Sequence, residues 1–206
     1  MNRKHIITVA GKPGSGKSTT ANRVAELLDF KRFSSGDLMR EIAKKRGISL
    51  LDLLYQAETD ESIDHEVDRR IKDFNSKENY VIDSRLAFHW IPESFKVYLD
   101  LDLSVSAVRI FKDMSDSRVS SGEAVNTVHE VKRDLEARLL SERKRYNQLY
   151  GIDPHNISHF DLIINTERNK PSIVALTIFD MYKKWLTKES WSSVHYELPV
   201  RYRIED

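Results

Sequence analysis

The sequence predicts an α/β fold, a five-stranded parallel sheet with helices on both faces. Two observations carry this prediction. Short apolar runs rich in β-branched residues alternate with stretches of helical period along most of the chain, the pattern of a parallel sheet covered by its crossover helices. The first such run, His5 to Ala10, stops at a glycine-rich segment that opens directly into a helical pattern.

The elements follow in order. HIITVA, His5 to Ala10, is a buried first strand. Lys17 to Leu28 sets Ala21, Val24, Ala25 and Leu28 at the i, i+3, i+4, i+7 spacing of one helix face. Phe30 to Phe33 is a second, weaker strand. Gly36 to Arg46 is a helix ended by Gly47, and Ser49 to Ala57 another, with Ser49 as N-cap and Asp52 three positions on. Asp60 to Phe74 is a strongly charged helix. Tyr80 to Asp83 and Phe95 to Leu101 are the third and fourth strands, and a helix runs from Ser104 to about Met114. Ser121 to Tyr150 reads as one long helix, with Val128, Val131, Leu135, Leu139, Tyr146 and Leu149 on one face and Gly151 at its end. Phe160 to Asn165 is the fifth strand, and Pro171 to Trp185 a last amphipathic helix with Pro at its start. Residues 187–206 break the pattern. There Val194, Tyr196, Leu198, Val200 and Tyr202 alternate with polar residues, as in an extra edge strand or an extended arm. The expectation is a single domain over residues 1–186 and a tail of unassigned role.

Composition narrows the function classes. The chain has 206 residues, enough for one domain, and 40% are apolar, enough for a core. Lys plus Arg number 33 against 32 Asp plus Glu, so the basic excess of a duplex-binding protein is absent. No cysteine is present, which excludes disulfides and thiolate metal sites and fits a reducing compartment. No window approaches the ~20 apolar residues of a membrane span, and the N-terminal run lacks a signal's long apolar stretch. The expected protein is soluble and cytoplasmic, a monomer or weak dimer, with neither membrane nor nucleic-acid polymer as partner.

The glycine-rich segment carries the chemistry. Residues 11 to 18 read GKPGSGKS, a complete G-x-x-x-x-G-K-[ST] phosphate-binding loop, or P-loop, between strand and helix. Gly11, Gly14 and Gly16 let the backbone turn its N–H groups inward, while Lys12, Pro13 and Ser15 complete the loop. Those donors and the helix N-terminus bind an anion, here the triphosphate of ATP. Lys17 reaches the β- and γ-phosphates, the Ser18 hydroxyl ligates Mg²⁺, and Thr19 reaches a phosphate from the first turn. Asp83 ends the third strand, where ligands bind in parallel sheets, and is placed to hold Mg²⁺ through water. The seven histidines show no metal-ligand spacing.

Beyond the loop, the chain resembles the archaeal-type cytidylate kinases of the nucleoside-monophosphate kinase group. The resemblance runs from His5 to about Trp185 and rests on SSGDLMRE (Ser34 to Glu41), IDSRLA (Ile82 to Ala87), RYNQLYGID (Arg145 to Asp153) and DLIINT (Asp161 to Thr166). It implies that residues 35–76 bind the monophosphate acceptor, with Ser35, Asp37 and Arg40 in that segment and Arg85 after the third strand contacting it. A guanidinium suits this task because it gives a phosphate two parallel hydrogen bonds. Residues 109–150 become the lid, with Arg109, Arg133 and Arg138 on the transferring phosphoryl group, and Asn165 and Thr166 lie beside the adenine. Ser84 stands where the family usually has glycine, and KDMSDS, Lys112 to Ser117, replaces the arginine often found near the lid's tip.

The resemblance implies transfer of the γ-phosphoryl of ATP to CMP or dCMP. The acceptor phosphate has a second pKa of about 6 and is already ionised at neutral pH, so it needs no general base. Three other readings stay open. One is another monophosphate as acceptor. A second is a hydroxyl acceptor with Asp37 as base, and the third is a nucleotide-dependent switch.

Overall fold

Apolar runs become strands, and the parity of their side chains decides which helices cover them. The computed structural model describes residues 3–119 and 127–196. In chain order the elements are β1 (Ile6–Gly11), α1 (Lys17–Leu28), β2 (Lys31–Ser34), α2 (Ser35–Arg46), α3 (Leu50–Gln56), α4 (Glu61–Lys72), β3 (Tyr80–Asp83), the short α5 (Ala87–Trp90), β4 (Phe95–Asp100), α6 (Leu103–Val119), α7 (Val128–Tyr150), β5 (Leu162–Asn165), α8 (Pro171–Thr187) and β6 (Val194–Tyr196).

The sheet has six strands among the described residues, one more than the sequence suggested. Its order is β2-β3-β1-β4-β5-β6, and every pair is parallel. The extra strand is β6 in the tail, whose Val194 pairs with Leu162 of β5. Trp191, Val194 and Tyr196 pack on the main core, so the tail as far as Tyr196 belongs to the folded body rather than following it. Leu198, Val200 and Tyr202 lie outside the described residues.

Alternation along β1 sorts the core. Ile7 and Val9 face α1 and α8, where Val24, Ile178 and Trp185 complete a cluster. Ile6 turns to the opposite face, under α2 to α5, and Ala10 joins Tyr98, Tyr146 and Phe160 beneath α7. All six residues of β1 are buried, as a central strand covered on both faces requires.

Two helices depart from their predicted limits. α6 continues to Val119. α7 begins at Val128, because Thr127 caps it in a reciprocal box with Glu130. Residues 121–126, assigned to that helix from sequence, lie outside the described residues. Among the described residues no helix is long and apolar enough to cross a membrane.

The chain leaves β1 for β2, returns to β3 beside β1, then crosses to β4 on the other side of β1. That reversal opens a crevice at the carboxyl ends of the strands. Ser34 and Asp83 are paired there, as are Asp100 and Asn165.

Candidate active site

Steric necessity shapes the loop after β1. Gly11 has φ 146°, and a Cβ there would strike the Leu99 carbonyl. Gly14 has φ 71°, and a Cβ would come within 2.8 Å of Ser106 Oγ. Only glycine meets both demands. Ser106 Oγ donates to the Pro13 carbonyl, and Lys12 Nζ lies 2.7 Å from Asp100, so α6 and the end of β4 pin the loop. Ser15 Oγ is buried without a hydrogen-bond partner among the described residues, a costly state that a phosphate oxygen would relieve.

Lys17 Nζ donates to the Lys12 carbonyl at 2.8 Å. Its side chain is partly exposed at the surface, yet the protein packed around its ammonium group pushes its pKa down to about 7. Arg85 adds to that effect, while Asp83 and Glu142 oppose it. An arriving polyphosphate favours the charged form.

Ser18 Oγ donates to Asp83 Oδ2 at 2.7 Å, and Arg32 Nη2 donates to the same oxygen at 3.2 Å. A hydroxyl beside a carboxylate is a hard-oxygen set that suits Mg²⁺, which keeps several waters and shares phosphate oxygens. Such a site needs no protein cage. Among the described residues no group of three or more His, Asp or Glu is poised for a metal.

The opposite wall is built by α2, the loop after β3, and α7. Ser34 caps α2 by accepting from the Asp37 backbone N–H at 3.2 Å. Asp37 forms an ion pair with Arg40 and accepts from Arg32 Nη1 at 3.1 Å. The hydrogen bond from Arg40 and the charge of Arg32 hold its carboxyl below the usual range, against partial burial. Ser35 Oγ donates to the Asp83 carbonyl at 3.3 Å.

Glu142 organises the centre of this wall. It accepts from Arg85 Nε at 2.6 Å and from Arg138 Nε at 3.0 Å. His155 Nε2 stands 3.6 Å away, and the other ring nitrogen of His155 lies 3.0 Å from Tyr98 Oη. Burial alone would raise the Glu142 pKa, but Arg85, His155 and Arg138 together hold it well below the carboxylate range. Next to it, Arg145 pairs with Asp64.

Four of the sequence-derived residues, Ser35, Arg40, Arg85 and Arg138, line one cleft. Ser84, where a glycine was expected, is accommodated there with 5% exposure. The structure does not bring Arg109 or Arg133 to this cluster. Arg109 donates to the Thr166 and Glu167 carbonyls at 2.8 and 2.6 Å. It thereby ties α6 to the loop after β5. Arg133 is 70% exposed, with its Nε 3.9 Å from the neighbouring Asp134. Asn165 Oδ1 accepts from the Glu167 N–H at 2.8 Å, and Thr166 Oγ1 donates to the Asp100 carbonyl at 3.1 Å; both shape the loop. Thr19 is exposed in the first turn of α1. Of the KDMSDS segment, the side chains from Met114 onward lie outside the described residues.

Sequence reasoning missed Arg32, Asp64, Glu142 and His155. Two of these left a signal. Glu142 interrupts the apolar stripe of α7 between Leu139 and Tyr146, and Asp64 sits among Ile63, Val67 and Ile71 on the buried face of α4. A charge at a core position marks a paired or ligand-binding group.

The family model described as "AAA domain" matches residues 10–145. A cytidylate kinase of Thermoplasma volcanium is 36% identical over 191 residues, covering 90% of this chain and 95% of the relative. A cytidylate kinase of Natronomonas pharaonis is 38% identical over 176 residues, covering 84% and 86%. Among solved structures, shikimate kinase from Acinetobacter baumannii in complex with shikimate superposes with a TM-score of 0.58 at 17% identity, covering 91% of this chain and 97% of that one. At that identity the likeness concerns the fold.

Proposed function

This chain belongs to the cytidylate kinase family of P-loop kinases, and we propose that it passes the γ-phosphoryl of ATP to the phosphate of CMP or dCMP, giving ADP and CDP or dCDP. The observation that carries this reading is the cleft itself. Arg40, Arg85 and Arg138, from three separate elements, line it together, and the charges of Arg85 and Arg138 act on Lys17 of the loop at the end of β1.

Two polyanions must meet in line, so the difficulty is electrostatic rather than covalent. In this reading the loop amides, Ser15 Oγ and Lys17 hold the triphosphate, and Thr19 supports it. Arg40 and Arg85 grip the acceptor phosphate, and Ser35 lies beside it. Arg138, held by Glu142, neutralises charge on the group in transit. Arg109, Asn165 and Thr166 serve the nucleoside end of ATP. Ser18 and Asp83 are the residues that would hold Mg²⁺, which when bound neutralises phosphate charge. Asp37 positions Arg40 and Arg32. Its depressed pKa and two arginine partners argue against the role of base for a hydroxyl acceptor.

Two variants test the division of labour in a coupled assay. Lys17→Ala is expected to keep the fold and lose transfer by about a thousandfold or more. Arg40→Ala is expected to raise KM for CMP about tenfold or more while the KM for ATP stays within about twofold, since it removes one charge-assisted contact. A folded Lys17→Ala with near-normal turnover, or an Arg40→Ala that changes only the ATP step, would overturn the assignment.

A further inference from the structure

We infer that Arg32 is a positioning residue that couples the two halves of the cleft: shared between Asp83 and Asp37, it frees Arg40 for the acceptor phosphate when Asp83 turns to a divalent cation. The inference rests on the reading above, in which Ser18 and Asp83 face the metal of the triphosphate and Arg40 grips the acceptor.

The geometry follows from strand register. Arg32 pairs with Val81 and Ser34 with Asp83 across β2 and β3, so Arg32 and Asp83 are diagonal neighbours on one face of the sheet. Arg32 Nη2 donates to Asp83 Oδ2 at 3.2 Å, the oxygen that also accepts from Ser18. Its Nη1 donates to Asp37 Oδ2 at 3.1 Å, in the first turn of α2. The other oxygen of Asp37 accepts from Arg40. Ser18, Asp83, Arg32, Asp37 and Arg40 thus form one unbroken chain from the phosphate-binding loop to the acceptor wall.

Arg32 is divided between its partners. A guanidinium binds a carboxylate best through two parallel hydrogen bonds. Arg32 instead gives one to each of two acids, and its Nε is buried with no partner among the described residues. If one acid is withdrawn, the fork is free to close on the other. The two ends of the chain differ in strength. The Asp83 side chain is 7% exposed, whereas those of Asp37 and Arg40 are 54% and 57% exposed, a surface pair of the kind that is weakly held. A dication beside Asp83 repels the neighbouring guanidinium. Arg32 then closes on both oxygens of Asp37, and the exposed contact to Arg40 gives way. Arg40, which already lines the cleft, turns to the incoming phosphate. The charge count agrees. Asp83 and Asp37 balance Arg32 and Arg40; with Asp83 engaged by the metal, one guanidinium lacks a carboxylate, and the acceptor phosphate supplies the anion.

The test is calorimetric titration of CMP into protein saturated with adenylyl imidodiphosphate, an ATP analogue that cannot transfer its γ-phosphoryl group, with Mg²⁺ or with EDTA. The wild type is expected to bind CMP about fivefold or more tighter with Mg²⁺. In Arg32→Gln the two affinities are expected to agree within about twofold, since the link is cut. Asp37→Asn weakens the hold on Arg40 without touching the Arg32–Asp83 contact. With EDTA it is expected to bind CMP as tightly as the wild type does with Mg²⁺, a gain that a merely structural role would not give. A wild type indifferent to Mg²⁺, a folded Arg32→Gln that keeps the wild-type ratio, or an Asp37→Asn that gains nothing with EDTA would overturn the inference. Should Arg32→Gln fail to fold, Asp37→Asn decides alone. If the wild type binds no CMP under either condition, the proposed function fails and the inference with it; if CMP binds and the ratio is one, only the role of Arg32 fails.

Discussion

At the scale of single residues, the site depends on charges held in low dielectric by their partners. Glu142 is the clearest case. It is 6% exposed and fixes two guanidinium groups that would otherwise repel each other. Removing one partner of a buried pair typically costs about 3–5 kcal/mol, because the other is left uncompensated. Its carboxyl titrates below its ordinary value of 4.5 in the folded chain. A depressed carboxylate stabilises the fold above the unfolded value and loses that contribution as pH falls through the folded one. Wild-type protein is therefore expected to lose thermal stability on acidification below pH 4.5. Glu142→Gln is expected to be less stable at neutral pH, with a shallower acid slope. Melting curves across that range check both, and an unchanged slope in the variant would contradict the assignment. None of this was legible as a role in the sequence, although the residue's place in an apolar stripe was. A one-dimensional pattern shows that a charge is buried but not which arginines meet it, since Arg85 and Arg138 arrive from separate elements.

At the scale of elements, α7 does two jobs. Its apolar face, Val131, Leu135 and Leu139, packs into the body of the protein, while its last turns dock on α4. Arg145 meets Asp64, and Tyr150 meets Asp68. The two acids are four residues apart, so they share one face of α4. This explains physically why RYNQLYGID stood out in the sequence. The segment joins two helices across the cleft, while its glycine closes α7 in the left-handed conformation at φ 68°. Tyr150→Phe would leave one oxygen of Asp68 without its donor. The expected cost is about 1–3 kcal/mol, read as a lower urea midpoint at unchanged slope, and an unmoved midpoint would show that water replaces the hydroxyl. Element type was legible wherever periodicity was long, as in α1 and α8. The start of α7 was not, because the Thr127 cap falls inside a stretch whose composition continues to read as helix.

At the scale of the whole molecule, the sheet brings distant segments to one edge. Strand order places the loop after β1 between Asp83 of β3 and Asp100 of β4, so the two anion-binding halves converge without direct contact in sequence. Alternation of strands and helices made the parallel sheet readable in advance. The sixth strand was readable only as one of two alternatives for the tail, an edge strand or an extended arm, because three residues at Val194–Tyr196 acquire strand geometry only by pairing with the edge of β5. The central claim is that one cleft holds a triphosphate on backbone amides and a second phosphate on arginines, close enough for direct transfer. ³¹P NMR of the folded protein mixed with ATP, Mg²⁺ and CMP tests this most directly. The account predicts that ADP and CDP resonances grow in equal amounts; growth of inorganic phosphate in place of CDP, or an unchanged spectrum, would contradict it.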